Sequence, residues 1–222
     1  MILYNDPQLL VCSKPAGLVS QRAENGRDLP SALEAALAAQ GESCTLYPVH
    51  RLDRETAGLM VFAKTQASAA ALSAQIAAGG LKKRYFAVLR GVPEQERGTL
   101  EDLLFHDRQR NKTYPVKRMR KGVHPAKLAY TVLAAREGLS LVSVRLGTGH
   151  THQIRVQFAS RRLPLWGDGK YGGGPGALAL FACGLTFTHP ATGELRTFHA
   201  LPDPAAAPWD RFAAELTASE TE

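Results

Sequence analysis

The chain of 222 residues lacks the features that mark exported, membrane-bound or zinc-binding proteins. No apolar run reaches the ~20 residues that a membrane-spanning helix needs, and the N-terminus, MILYNDPQ, has no basic stretch followed by an apolar one. The three cysteines, Cys12, Cys44 and Cys183, form no CxxC pair and have no histidines at zinc-site spacing. We therefore expect a cytoplasmic protein with reduced thiols and no metal.

The sequence also has no proline- or serine-rich linker, no internal repeat and no low-complexity tract. With 45% hydrophobic and 21% charged residues, it falls in the ordinary globular range and is long enough to bury a sizeable core. These features predict a single domain that covers residues 1–222. No exposed apolar helix stripe stands out, so a monomer is the default expectation.

Basic residues exceed acidic ones. The 27 Lys and Arg against 20 Asp and Glu give a net charge of +7, which favours a polyanionic partner. Seven of the basic residues lie in the basic segment Arg108–Lys121 (RQRNKTYPVKRMRK), which contains no acid. Such a run is either a solvated loop or a segment that contacts phosphates.

Strand-like stretches outnumber helical ones. Strands are predicted at 8–13, 59–64, 84–90, 127–133, 140–146, 178–188 and 194–200, and helices at 31–40, 67–78, 151–161 and 208–218. Ser31 is the expected N-cap of the first helix. Turns at Arg136–Gly138 and Pro190–Gly193 predict two hairpins, and hairpins pair antiparallel. The pattern indicates an α+β fold with a largely antiparallel or mixed sheet.

Two short motifs fit known sites poorly. Gly167–Gly172 (GDGKYG) matches the dinucleotide pattern GxGxxG, with Glu194 near the right distance downstream. However, Gly173–Gly176 (GGPG) follows where a helix must begin, so we interpret the motif as a loop. His150 and His152 have no third ligand type nearby, which argues against a metal site.

The densest group of polar residues is His50–Gly58 (HRLDRETAG), directly before an apolar strand. One interpretation is a charged loop with local ion pairs. The other is that a nearby cation keeps Asp53 ionised, so that it acts as a nucleophile or base. A second polar segment, Gly149–Arg155 (GHTHQIR), also precedes an apolar stretch, and Arg155 is a candidate for that cation.

Four blocks of the sequence resemble the RluA-type family of pseudouridine synthases. In the family's order and spacing they are HRLDRETAGLMVFAK, KKRYFAVLRG, GHTHQIRVQFASRRLPLWGDGKYG and LTFTHPATGELRTF. The resemblance runs from the turn SKPAG to about Pro202 and is to the catalytic domain, without the small N-terminal RNA-binding domain that many members carry. It implies an isomerase that converts uridine to pseudouridine in structured RNA without a metal or organic cofactor. It also implies a long, mixed, mainly antiparallel sheet.

The resemblance further implies roles for single residues. Asp53 in HRLD matches the catalytic aspartate, Arg155 in QIR matches the arginine that pairs with it, and Tyr85 in KRYFAV matches the tyrosine that lies against the target base. Arg51 matches an arginine that can occupy the space left by a flipped nucleotide, and His50 is expected to be structural or RNA-contacting. The full set of expected RNA contacts is Arg51, His50, Lys117, Arg118, Arg120, Lys121 and His152.

The chain departs from the family at a few positions. Members usually read Gly-Arg-Thr-His where this sequence has GHTH at 149–152, and such departures bear on substrate choice more than on reaction type. The expected substrate is ribosomal or transfer RNA, since both are used within the family, and the sequence does not choose between them. Two other functions stay open: a catalytically silent RNA-binding protein of the same fold, and a carboxylate-dependent hydrolase of another N-glycoside. The hydrolase needs a second acid, for which Asp168 and Glu55 are the candidates.

Overall fold

The computed structural model describes residues 2–218, which divide into two compact units. Unit 1 contains the residues up to Lys83 together with Ala182–Ala200, and unit 2 contains Arg84–Phe181 and the residues from Leu201 onward. Across the described residues, no helix is both long enough and apolar enough to cross a membrane. That residues 1–222 act as one catalytic domain stays a prediction.

Unit 1 is built on β-strands, and its strand pairs with an established register are antiparallel. The strands are β1 (Ile2–Asn5), β2 (Leu9–Lys14), β3 (Tyr47–Pro48), β4 (Ala57–Ala63), β10 (Leu180–Thr188, from Ala182 onward) and β11 (Leu195–His199). Their order is β1-β2-β4-β10, with β3 beside β4 and β11 beside β10. The register runs from Leu9 opposite Ala63 to Lys14 opposite Gly58. Because β2 and β4 are buried on both faces, they appear in the sequence as continuous apolar runs.

Two helices belong to unit 1, α1 (Leu29–Ala38) and α2 (Gln66–Ala77). Thr65 caps α2 by accepting the Ser68 N–H, which confirms the predicted start within one residue. The prediction for α1 was wrong at its start: Asp28, not Ser31, is the N-cap, and its carboxylate accepts the Ser31 N–H. Aspartate is a favourable N-cap because its carboxylate accepts an N–H group of the first turn, and Pro30 is tolerated in that turn because it needs no N–H there.

The core of unit 1 depends on the register of its strands, because every second side chain of a strand faces the same side of the sheet. One cluster is formed by Leu9 and Val11 of β2, Leu59, Val61 and Ala63 of β4, Leu72 of α2, and Leu81, Leu185 and Phe187. These strand positions are two residues apart and therefore share one face of the sheet. A one-residue slip in register would turn all of them away from α2.

Unit 2 is a second antiparallel array, in the order β5-β9-β8-β6-β7. The strands are β5 (Lys82–Arg90, from Arg84 onward), β6 (Arg97–Asp107), β7 (Lys112–Val116), β8 (Val123–Arg136) and β9 (Leu139–Leu146). Helix α3 (Gln153–Ala159) packs beside β6 and β7, and Val156 joins Leu104 and Ala126 in a small core. The chain continues to a 3₁₀-helix (Trp209–Phe212) and α4 (Ala213–Ala218), so the predicted helix at 208–218 is only partly α-helical.

Every strand pair with an established register is antiparallel, and the parallel bridge between Val19 and Asp28 is isolated. The α+β class is therefore confirmed. The predicted β8–β9 hairpin is confirmed as well: Glu137 and Gly138 both have positive φ, as the two central residues of a type I′ turn require. Four strands, β1, β3, β6 and β7, were not predicted, and the helix expected at 151–161 is shorter, at 153–159. None of the three cysteines in the described chain forms a disulfide.

Candidate active site and basic surface

Asp53 lies in a short loop of unit 1 that leads directly into β4, and its side chain is half-buried. The loop is fixed by the preceding residue, since Leu52 donates its N–H to Ser20 Oγ at 3.2 Å and accepts the Ser20 hydroxyl at 2.8 Å. The Thr56 N–H then bonds to the Asp53 carbonyl at 3.1 Å and closes a turn. The backbone that carries the carboxylate is therefore held from both sides.

Lys14 supports the same loop from beneath. Its side chain is 1% exposed, and Nζ donates to the carbonyls of Pro15 (2.8 Å), Leu18 (2.6 Å) and Arg54 (2.9 Å). Three acceptors match the three hydrogens of an ammonium group. Burial lowers the pKa of Lys14 to about 8, although the negative charges of Glu55 and Asp53 act in the opposite direction. Lys14 thus joins the β2 end to the Asp53 loop.

The two residues before this loop have different environments. Arg51 is exposed, whereas His50 is half-buried: its Nδ1 is shielded from solvent, and its Nε2 accepts the Val61 N–H at 3.1 Å. Burial lowers the pKa of His50 to about 3, and the nearby charge of Lys83 adds to the effect. The ring is therefore neutral, with its proton on Nδ1. Of the two roles expected for His50, this environment favours the structural one.

Arg155 of unit 2 projects from α3 into a buried ion pair. Its Nε and Nη2 donate to the two carboxylate oxygens of Asp168, each at 2.7 Å, and the side chains are only 7% and 0% exposed. The Tyr171 ring lies 5.3 Å from the guanidinium carbon. A bidentate pair of this kind fixes the plane of the guanidinium as well as its charge. That Arg155 pairs with Asp53 stays a prediction.

Tyr171 ties this ion pair to the strand β7. Its hydroxyl accepts the Thr113 N–H at 2.8 Å, and His152 Nδ1 lies 3.0 Å from the same oxygen. His152 is 7% exposed and sits at the start of α3 with a φ of 55°. Its predicted contact with RNA is untested, and its observed contacts are to aromatic rings of unit 2, Tyr171 and His106.

Tyr85 occupies the fourth position of β5, opposite Val144 of β9, and is 4% exposed. Its backbone is therefore part of the sheet of unit 2. A side chain positioned by a paired strand has little freedom to move, which suits a group that must present one face to a ligand.

The basic segment is not a simple loop. Its first residues form the turn between β6 and β7, its middle forms β7, and its end, from Lys117 to Lys121, is an irregular exposed stretch. The side chains of Lys117, Arg118, Arg120 and Lys121 are exposed, and the Arg120 guanidinium lies 5.0 Å from the centre of the Phe105 ring. The basic segment is therefore anchored by the β6–β7 hairpin, and its last residues, from Lys117 to Lys121, extend from it as an exposed stretch.

Sequence reasoning missed the structural partners of the candidate site. Asp168 was considered only as the second acid of a hydrolase, but it is bound to Arg155 and accepts the N–H groups of Lys170 and Tyr171. The signal was its place in GDGKYG, a loop of turns that begins with Gly167 at a φ of 73°. No helix follows the motif at 173–179, as predicted. Glu55, the other candidate for a second acid, is exposed.

The potential metal ligands named from the sequence, His150 and His152, have other partners in the structure. Within residues 2–218, no group of three or more His, Cys, Asp or Glu side chains is arranged to hold a metal ion. His150 bonds through Nε2 to the Pro125 carbonyl at 2.9 Å, and His152 to Tyr171 as described. Both rings therefore have protein partners.

Comparisons with known proteins agree on one family. The model of the RNA pseudouridylate synthase family matches residues 8–160. The uncharacterized RNA pseudouridine synthase YhcT of Bacillus subtilis is 38% identical over 87% of this chain and 66% of its own length. The ribosomal large subunit pseudouridine synthase C of Salmonella typhimurium is 32% identical over 92% of this chain and 67% of its own length. This chain thus spans about two thirds of the length of these relatives.

The fold is also shared with a solved structure. The human RNA pseudouridylate synthase domain containing 4 superposes with a TM-score of 0.75, at 24% identity, over 97% of this chain and 92% of that one. This similarity confirms the fold expected from the sequence blocks.

Proposed function

The chain belongs to the RNA pseudouridylate synthase family, and we propose that it converts specific uridines of structured RNA to pseudouridine, with Asp53 as the catalytic carboxylate. The observation that carries the proposal is the support of the Asp53 loop. Ser20 holds Leu52 through two hydrogen bonds, and Lys14 holds the Arg54 carbonyl. A loop that only carried surface charge would need no buried ammonium beneath it.

The reaction must break the N1–C1′ glycosidic bond, turn the uracil, join C5 to C1′ and release the C5 proton. No electrons are gained or lost. An ionised Asp53 could attack C1′, add to C6 of the ring, or remove the C2′ proton to give a glycal, and all three routes stay open. Each route needs the charged carboxylate, positioned against one face of the nucleoside.

Arg155 is the proposed partner of that carboxylate. An arginine favours the ionised form and fixes its orientation through a planar fork, which a lysine does not offer. Because Asp168 already holds one edge of the Arg155 guanidinium, the position of the remaining N–H groups is set before any substrate binds. Asp168 is thereby committed to Arg155, which argues against its use as the second acid of a hydrolase.

Tyr85 is the proposed support for the base. Its ring offers a flat surface to the loosened uracil, and its phenol is a candidate to assist the loss of the C5 proton. Phenylalanine at this position could supply only the flat surface. A Tyr85→Phe variant therefore separates the two roles.

The target uridine must leave its helix or already lie in a loop, because chemistry on a stacked base is sterically blocked. We propose that Arg51, which is exposed, fills the space left by the flipped base. The basic segment then offsets the unstacking energy of a few kcal/mol by binding phosphates. Replacing Lys117, Arg118, Arg120 and Lys121 with Ala should weaken RNA binding and reduce its salt dependence, and an unchanged salt slope would refute this role.

Ribosomal RNA is the first substrate to test, since the relative from Salmonella typhimurium is named for the large ribosomal subunit; transfer RNA is the second. The purified protein and its Asp53→Asn variant are incubated with unmodified transcripts of both, and pseudouridine is mapped by position. New pseudouridine at defined positions with the wild type alone supports the proposal and identifies the RNA. RNA binding without product would instead favour the silent RNA-binding protein. The cytoplasmic location and the monomeric state stay predictions.

A further inference from the structure

A cleft in unit 2 contains several histidines that the proposed reaction does not use. It has a volume of about 520 Å³, and its walls come from the β6–β7 hairpin, the start of β8 and the loop before α3. His106, His124 and His150 line it, together with Arg108 from the hairpin turn. We name it the histidine cleft. Its volume lies in the range of sites that hold small organic ligands, so it has room for one sugar-phosphate unit.

Two of the histidines form a stacked pair. The rings of His124 and His150 are 5.5 Å apart at their centres and inclined by 23°, and His124 is exposed. His150 Nε2 lies 2.9 Å from the Pro125 carbonyl, which can only accept a hydrogen bond. Neutral His150 therefore carries its proton on Nε2, and protonation adds a second N–H, on Nδ1.

His106 is fixed differently. The Thr113 hydroxyl donates to the Thr151 carbonyl at 2.8 Å, so its only hydrogen is used there. His106 Nδ1, which lies 3.1 Å from the same hydroxyl oxygen, must therefore be the donor of that bond. The tautomer of His106 is thus set by the protein, whereas a new proton on the His124–His150 pair lies next to the exposed side of the cleft.

The other charged groups of the cleft favour an anion. Asp107 is the acid on its wall, but its carboxylate accepts the N–H groups of Gln109 and Arg110 and lies 3.8 Å from the Arg110 side chain. From β6 and its turn, His106 and Arg108 face the cleft; from β8 and the loop before α3, His124 and His150 do. Protonated imidazoles therefore add positive charge where the one acid of the wall is already engaged.

We propose, on the basis of the proposed RNA synthase function, that the histidine cleft binds a phosphodiester group of the RNA strand through Arg108, His124 and His150, and binds it more tightly as the pH falls. A phosphodiester keeps its charge throughout the range in which imidazole titrates, near pH 6.5, so the pH dependence comes from the protein. The strand continues along the basic segment, whose Arg108 is shared by both surfaces.

The test uses fluorescein-labelled decauridylate, titrated with the wild-type protein at pH 5.5, 6.5, 7.5 and 8.5 and at several salt concentrations. The double variant His124→Gln/His150→Gln keeps side-chain amides that can hydrogen-bond but removes both titrating groups. His199→Gln, an exposed histidine of unit 1, is the matched control. Thermal unfolding at each pH verifies that the variants are folded.

The wild type and the His199→Gln control should bind at least about tenfold more tightly at pH 5.5 than at pH 8.5, because protonated imidazoles of the cleft attract the phosphodiester. The double variant should change by less than about twofold over the same range. At pH 5.5 its salt slope should be smaller than that of the wild type by about 0.7 for each lost phosphate contact.

Two results would overturn this inference: a wild-type affinity that does not change with pH, or a pH dependence that the double variant retains. Either result leaves the proposed function intact if pseudouridine still forms on the transcripts. If no pseudouridine forms, but the affinity depends on pH and the double variant loses this dependence, the catalytic proposal is refuted and the phosphodiester site in the histidine cleft is supported.

Discussion

The Arg155–Asp168 ion pair allows a quantitative prediction. In Asp168→Asn, the amide oxygen can replace Oδ1, which accepts from Arg155 Nη2 and from the N–H groups of Lys170 and Tyr171. The amide NH₂ then faces Arg155 Nε–H across 2.7 Å, donor against donor. Removing one partner of a buried pair leaves the other charge with poor compensation, and we expect a loss of about 3–5 kcal/mol in the free energy of unfolding.

The matched control is Glu101→Gln, also an acid-to-amide change in unit 2. Glu101 pairs with Lys127, but the two side chains are 64% and 61% exposed, so we expect a loss below about 1 kcal/mol. Urea unfolding followed by tryptophan fluorescence suits this comparison, because Trp166 and Trp209 both lie in unit 2. If the two variants lose the same stability within 1 kcal/mol of each other, the buried pair has no special role and the reasoning fails.

Three further predictions concern unit 1. Lys14→Met should lose about 1–3 kcal/mol of stability and most of the activity, because three carbonyls lose their hydrogen-bond donor. The control Lys82→Met, at an exposed position, should change neither, and equal stability losses of the two variants in urea unfolding would refute the role of Lys14. Gly58→Ala should cost about 3 kcal/mol or more, since its Cβ would lie 2.3 Å from the Ala182 carbonyl oxygen at a φ of +112°, and a thermally stable variant would contradict this close approach. Burial would raise the pKa of Asp28, but the N–H donors outweigh burial and lower the pKa. The wild-type protein should therefore lose stability as the pH drops below about 4, and Asp28→Asn should lose less. Parallel acid-unfolding curves of the two proteins would exclude a stabilising charge at Asp28.

The sequence predicted the inner strands of the fold best. The runs at 9–14 and 57–63 are apolar because both faces are buried, and this pattern is visible without a structure. Strand β6 was missed because its exposed and buried residues alternate among charges, as in RGTLEDLLFHD. Strand β7 (KTYPV) was missed because it lies within the basic segment, which looked like a loop, although antiparallel pairing with Leu103–Asp107 orders it. Tertiary pairing decides such strands, not local propensity.

For the candidate site, the sequence offered reactive residues but not the residues that support them. Short sequence blocks suggested Asp53, Tyr85 and Arg155, because these residues lie within recognisable motifs, and their roles stay predictions. The partners that hold them, Lys14 for the Asp53 loop and Asp168 for Arg155, are distant in sequence: Lys14 is 40 residues from Arg54, and Asp168 is 13 residues from Arg155. A buried lysine looks like any surface lysine until the fold brings three carbonyls to it.

The central claim is that the protein isomerises uridine in RNA with Asp53 as the catalytic carboxylate. The release of the hydrogen at uridine C5 tests this claim most directly. Every turnover replaces the C5–H bond of uridine with the new C5–C1′ bond, so RNA labelled with tritium at uridine C5 must release one tritium for each pseudouridine formed. We predict time-dependent release with the wild-type protein, equal to the pseudouridine found by nucleoside analysis, and none above background with Asp53→Asn of equal stability. Release that is undiminished in Asp53→Asn would contradict the account.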